Sequence, residues 1–252
     1  MIKLTDIRKI IKLTIISGYI KNTDRPISLL LIGKSGIGKS EVTTYYYGKK
    51  VLRMTDVSYF GICNEINKNP EVKHLLIPDF LKVTRKNKNT SDNVIGILCS
   101  FMEEGVGKIH LNKQEYDFKG KRLGIITSTT QASFSQNQYI WETIGFIQRF
   151  LICSYAYTNE TRDEVMKYIN DENYLLEANK EKITGTNKFI KSTPELNAQL
   201  RIISKDSFRL QKHLQTLVKC NAFLRGDDKV IQEDINEIIR LSGYLNFDFT
   251  EI

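Results

Sequence analysis

The stretch Ser28–Tyr47, SLLLIGKSGIGKSEVTTYYY, decides how the rest of the chain is read. Leu29 to Ile32 are four consecutive apolar residues, the pattern of a short strand buried on both faces. They run into Gly33-Lys34-Ser35-Gly36-Ile37-Gly38-Lys39-Ser40, which fits G-x-x-x-x-G-K-[ST] at every position, with Glu41 next. The spacing has a physical meaning. Glycines let the backbone curl until successive N–H groups point inward, and the positive end of a following helix adds to the field there. Lys39 is spaced to reach the β- and γ-phosphates of a polyphosphate, and the Ser40 hydroxyl to complete a Mg²⁺ shell. A glycine-rich turn that binds nothing is the plain alternative. Here the letters come with a strand before and a helix after, which predicts a nucleoside triphosphate site.

The rest of the composition is ordinary. A chain of 252 residues holds one α/β domain plus a smaller appendage. With 41% hydrophobic and 26% charged residues it has the makings of a packed core. No apolar run approaches the roughly 18 residues that span a bilayer. The basic, amphipathic start lacks the unbroken apolar centre and cleavage site of a signal peptide, so a cytoplasmic protein is expected. Cys63, Cys99, Cys153 and Cys220 are scattered and read as free thiols, and the three histidines form no metal constellation. A net charge of +8 suits a nucleic-acid partner, although lysine-rich chains are often merely soluble.

Along the chain, Ile7, Ile10, Ile11 and Ile15 recur at helical spacing before Asp24-Arg25-Pro26 breaks the pattern. Strands are expected at Lys50–Met54, His74–Asp79, Leu123–Ile126 and Phe150–Tyr155, making five with Leu29–Ile32. Between them, Tyr59–Asn69 reads as a helix closed by Pro70, and Asp92 as the cap of a helix running to Met102. Val106–Lys121 alternates on either side of Asn112-Lys113 and reads as a hairpin. Thr130–Gln138 is polar and loop-like, and Ile140–Ile147 helical. From Thr158 the chain turns to helical periodicity, with Lys180–Lys191 expected to be a mobile connector. The expected division is an N-terminal helix over 1–24, an α/β core over 25–157 and a helical region over 158–252.

Asp79 closes an apolar run, where α/β sheets place their chemistry. An acid there can hold Mg²⁺ through water or orient the attacking water; an ordinary strand-end aspartate is the plain reading. Thr127, Ser128 and Thr129 stand at the end of the fourth strand, where a hydroxyl can face a γ-phosphate.

Five strands followed by a helical tail, led by a phosphate loop, resemble the AAA+ ATPases. More specifically, the chain resembles the branch containing the minichromosome maintenance helicases, MoxR proteins and magnesium chelatase. Leu98–Ile109, LCSFMEEGVGKI, is similar to that branch's helix before its β-hairpin, and Ile125–Thr130 to its sensor 1 strand. Gly145–Phe150, GFIQRF, is similar to the segment carrying the arginine finger. Ser207–Gln211, SFRLQ, resembles the sensor 2 motif, and Val230–Leu241 the closing lid helix. The resemblance implies a P-loop αβα core with a parallel five-stranded sheet and a C-terminal α-helical lid. It implies ATP and Mg²⁺ as cofactors and a ring, hexameric in the family's manner. Lys39 and Ser40 would hold phosphate and metal, and Asp79 metal or water. Thr127 or Ser128 would sense the γ-phosphate, Arg209 would contact the nucleotide, and Arg149 would complete a neighbour's site. Lys108, His110 and Lys113 on the hairpin would touch nucleic acid, DNA above all.

Three features depart from the family. Its paired Asp-Glu is here Asp79-Phe80, so a stand-in acid such as Glu103 or Glu104 is needed, or turnover is slow. Its sensor asparagine is replaced by threonine or serine. No flanking DNA-binding domain is recognisable. These departures leave three activities in view: a nucleic-acid motor, a nucleotide-dependent switch that recruits a partner helicase with little turnover, and a protein-remodelling chaperone. The compact, lysine- and asparagine-rich chain would suit a phage or other mobile element.

Overall fold

The computed structural model describes residues 4–111, 114–172 and 180–245. Its centre is a parallel sheet of β1 (Leu29–Gly33), β2 (Val51–Arg53), β3 (His74–Ile77), β4 (Gly124–Thr130) and β5 (Leu151–Ser154), in spatial order β2-β3-β4-β1-β5. Around it stand α1 (Thr5–Ile16), α2 (Lys39–Thr43), α3 (Tyr59–Lys68), α4 (Lys88–Met102), α5 (Gln131–Thr143), α6 (Asn159–Asn170), α7 (Phe208–Arg225) and α8 (Gln232–Leu241). The mixed α/β class and the five-stranded parallel sheet follow the sequence reading.

The apolar strands are continuous because the sheet is covered on both faces, and successive side chains part company across it. Leu29, Leu31, Leu76 and Ile126 enter one core; Leu30, Ile32, Leu75, Ile77 and Ile125 enter the other. The second core is closed by α3, α4, α5 and a hairpin, Val106–Leu111 with Gln114–Lys121. Its heart is aromatic: Phe80 stacks on Phe146 at 5.3 Å between centroids and meets Trp141 edge-on at 5.6 Å.

The first core is built differently. α2 stops after five residues, because Thr43-Thr44-Tyr45-Tyr46-Tyr47 is β-branched and aromatic and favours extended backbone. Tyr46-Tyr47 pairs instead with Glu181-Lys182 as a short parallel ladder. The face left open is filled by α1, which buries Ile7, Ile10, Ile11, Leu13, Thr14, Ile15 and Ile16. α7 and α8 join the same core through Leu214, Leu217, Ile235 and Ile238. Lys9–Glu237 (2.6 Å) and Arg240–Asp6 (2.8 Å) fasten α8 to α1. Residues 1–24 and the helical tail therefore share one core with the sheet along their described parts.

Several local expectations change. Thr130–Gln138 is not a loop: Thr130 caps α5, accepting from the Ser133 N–H, and the helix starts at once. Asn87, not Asp92, caps α4. The described part of Lys180–Lys191 is pinned rather than loose, with Ile183 N donating to Tyr47 O (2.7 Å), Lys188 N to Tyr19 O (2.9 Å) and Lys191 N to Asp228 O (2.7 Å). Among the described residues no helix is long and apolar enough to cross a membrane, the cysteines are free and no cluster fit for a metal occurs.

Candidate functional site

The carboxyl ends of the strands are where a parallel sheet opens a crevice, at the point where neighbouring strands send their connections to opposite faces. β1 and β4 meet that condition. They are adjacent, with Gly33 opposite Thr130. β1 leads into α2, whose Val42 lies in the first core, and β4 into α5, whose Phe134 and Trp141 lie in the second. The Gly33–Ser40 loop sits at this switch point.

Its shape follows from its glycines. Gly36 (φ +78°) and Gly38 (φ +80°) take the left-handed region that side-chain-bearing residues avoid. The turn they make wraps the loop around Lys39, which is 8% exposed and donates from Nζ to Gly33 O at 2.9 Å and to Lys34 O. Burial lowers the Lys39 pKa, and the nearby Asp79 charge opposes that shift. Among the described residues the backbone N–H groups of Ser35, Gly36, Gly38, Lys39 and Ser40 donate no hydrogen bond. Lys34, Ser35, Gly36, Ser40 and Glu41 are exposed, with Ile37 and Gly38 half-buried. The result is a rim of free donors around a desolvated cation, an arrangement that favours an anion. Tyr155, just past β5, holds the loop from the side through its hydroxyl to Ile37 O at 2.7 Å. Sequence reasoning missed this residue, since only β5 lying beside β1 brings it there.

Asp79 is half-buried at the same end of the sheet, and its Oδ1 accepts from Leu81 N at 3.0 Å. Its neighbour Phe80 is fully buried in the aromatic core. The position where the resembled family carries glutamate thus points into the protein, where an unpaired carboxylate would be costly.

The hydroxyl residues of β4 separate. β4 runs four residues further than expected, so Thr127 lies inside the sheet, wholly buried and facing the second core, with Oγ1 unpartnered. Ser128 clamps two strand tips: its Oγ donates to Pro78 O at 2.6 Å and its carbonyl accepts from Phe80 N at 2.8 Å. Neither is aimed at the Gly33–Ser40 loop. Thr129, paired with Ile32 and also unpartnered at Oγ1, is nearer the tip.

Arg149 and Arg209 are brought together, but at the amino end of the sheet. Glu103 sits between them: Arg25 Nη1 is 2.6 Å from Oε1, with Arg209 Nη2 3.0 Å and Arg149 Nε 3.7 Å from Oε2. Arg209 also donates to Gln148 O (2.7 Å), and Arg149 to Gly145 O. Burial alone would raise the Glu103 carboxyl; the hydrogen bond and charge of Arg25, with the other two arginines, outweigh it and hold the pKa below the usual range. Arg25 precedes β1 and Arg149 precedes β5, whereas the Gly33–Ser40 loop follows β1, so the length of the sheet separates them. Arg209 is therefore not beside that loop, and Glu103 is not available there as a stand-in acid. α7 begins at the amino end of the sheet, which places Arg209 there, and α4 ends there with Glu103 as its C-cap. Asp234, within Val230–Leu241, is buried and ties α8 to α7, accepting from Asn221 Nδ2 and Arg225 Nη2 at 2.8 Å each.

On the hairpin Lys108 is paired with Glu115 at 2.6 Å, and His110 is exposed opposite the same glutamate. Lys113 lies outside the described residues. No protein-family model matches the chain, and no curated protein matches it in sequence.

Proposed function

We propose that the chain is a P-loop ATPase of the AAA+ kind, acting as a ring-forming motor on nucleic acid. The observation that carries this reading is the Gly33–Ser40 loop, with free N–H donors encircling a buried lysine at the β1/β4 switch point. ATP would lie in that crevice. Its phosphates would take the loop N–H groups and replace the Gly33 and Lys34 carbonyls as partners of Lys39. Ser40 and Asp79 would hold Mg²⁺, the metal supplying charge neutralisation at the β- and γ-phosphates. Arg149 lies at the far end of its own sheet, so any contact it makes with nucleotide is with a neighbour's. Such a cation supplies roughly 10³–10⁵ in rate in other NTPases. To act, it would have to leave Glu103.

A second reading is a nucleotide-dependent switch with little turnover, serving a partner such as a helicase. Phe80 favours it, since no acid follows Asp79 and Glu103 is committed elsewhere.

ATP hydrolysis, with and without single- and double-stranded DNA, separates them. In the motor, turnover rises with DNA and falls at least about 100-fold in Lys39→Ala, in Asp79→Asn and in Arg149→Ala. ATP binding without turnover leaves the switch. No ATP binding at all by the unaltered chain ends both.

A further inference from the structure

At the amino end of the sheet a cleft of about 760 Å³ opens between the linker that leads into β1, the end of α3 and the returning strand of the hairpin. Six cations line it, Lys21, Arg25, Lys73, Lys119, Lys121 and Arg122, against two carboxylates, Asp24 and Asp117. Neither acid is spare. Asp24 serves Arg25 (3.6 Å), Arg122 (3.1 Å) and Lys212 (3.6 Å), and Asp117 accepts the Lys119 N–H at 2.9 Å. Lys21, Lys73 and Lys119 have no carboxylate within ion-pair distance among the described residues. Lys121 finds only the carbonyls of Pro70 (2.9 Å) and Asn69 (3.4 Å). Burial and the charge of Lys73 bring its pKa down to about 8. Among the described residues Lys21, Lys73, Lys119 and Lys121 are thus left without an ion-pair partner, which an incoming anion would supply.

We infer that this cleft is a nucleic-acid site that grips the phosphodiester backbone. The cations belong to three separate segments that line one cleft of about 760 Å³, more charge than a single phosphate calls for, which suits successive phosphates. The lining offers no exposed ring for stacking, Phe118 being 7% exposed, so the contact is to backbone rather than bases. Lys108 on the hairpin is a weaker contact, because Glu115 already neutralises it. The inference rests on the reading that nucleic acid is the substrate, but not on ATP being bound.

The test is fluorescence anisotropy with labelled single strands and duplexes of about 30 nucleotides, over about 50–200 mM salt and without nucleotide. The Lys21→Gln/Lys119→Gln double variant changes two exposed side chains. It is expected to weaken binding about tenfold near 0.1 M salt and to flatten the log–log salt slope by about 1.4–1.8, two phosphate contacts. Lys73→Gln, a second variant, should act in the same direction. Melting curves identify any variant that fails to fold, and the other cleft variant then decides. The inference is overturned if the unaltered protein binds no nucleic acid at about 50 mM salt, if the cleft variants bind normally, or if equimolar pyrophosphate displaces the probe, which would mark a small-anion site. Lys39→Ala should bind DNA normally. Loss of ATP binding there with retained DNA binding, or the reverse in the cleft variants, tells the failure of this inference from the failure of the ATPase reading.

Discussion

The two ends of the sheet are built on opposite electrostatic plans. At the carboxyl end, Lys39 is buried on carbonyl oxygens with free N–H donors around it. At the amino end, Glu103 gathers three arginines, and His74 and His213 are buried nearby. One end holds unspent donors, as a binding site does; the other ties the linker, the start of α7 and the segment before β5 into the fold. The basic cleft beside that knot is the exception at its own end, since its four lysines, Lys21, Lys73, Lys119 and Lys121, have no carboxylate partner among the described residues.

The largest effect expected lies in the core that holds both ends in register. Phe80→Ala should cost about 3–5 kcal/mol in denaturant unfolding, as a large aromatic removed from a stacked cluster. Phe80→Glu should fail to fold rather than supply the missing acid, and a folded, faster ATPase would refute the account of that position.

Acid should act next, and through the amino end. Burial pushes His74 down to about 3 and His213 to about 4, so both are neutral when folded. The unfolded chain binds these protons first, so stability is full above about pH 6.5 and falls as pH drops towards the folded values. At pH 5, about 1.5 units below the unfolded value, each accounts for up to about 2 kcal/mol. His213→Gln should remove about half of that loss; an unchanged pH profile would break the assignment.

Glu103→Ala should come third, at about 2 kcal/mol, because three partly buried guanidiniums lose their shared anion. It should also free Arg149. Lys39→Met should change stability least, within about 0.5 kcal/mol, since removing a desolvated charge offsets the lost hydrogen bonds. If Lys39→Met proves as damaging to folding as Glu103→Ala, the contrast between the ends is wrong.

Much of the fold could be read from the residues. Strands buried on both faces declare themselves as apolar runs, and α1, α3, α7 and the hairpin follow from periodicity and turn chemistry. The misreadings share a pattern. Thr130–Gln138 reads as a loop because it is polar, yet Thr130 caps a helix there and Phe134 anchors it. Thr127 looked like a strand tip because Thr127-Ser128-Thr129 breaks the apolar run, yet those hydroxyl residues continue the strand.

The glycine spacing, Lys39 and Ser40 were fixed by sequence alone, because a left-handed turn and a lysine at set offsets are local demands on the backbone. The position of Asp79 at a strand end was legible for the same reason. Which distant residues share an end of the sheet was not. Strand order and the path of α7 carry Arg149 and Arg209 to Glu103 rather than to Lys39, and bring Lys73, Lys121 and Lys21 to one cleft. Such meetings depend on how the two cores pack across all five strands, which no short stretch of sequence specifies.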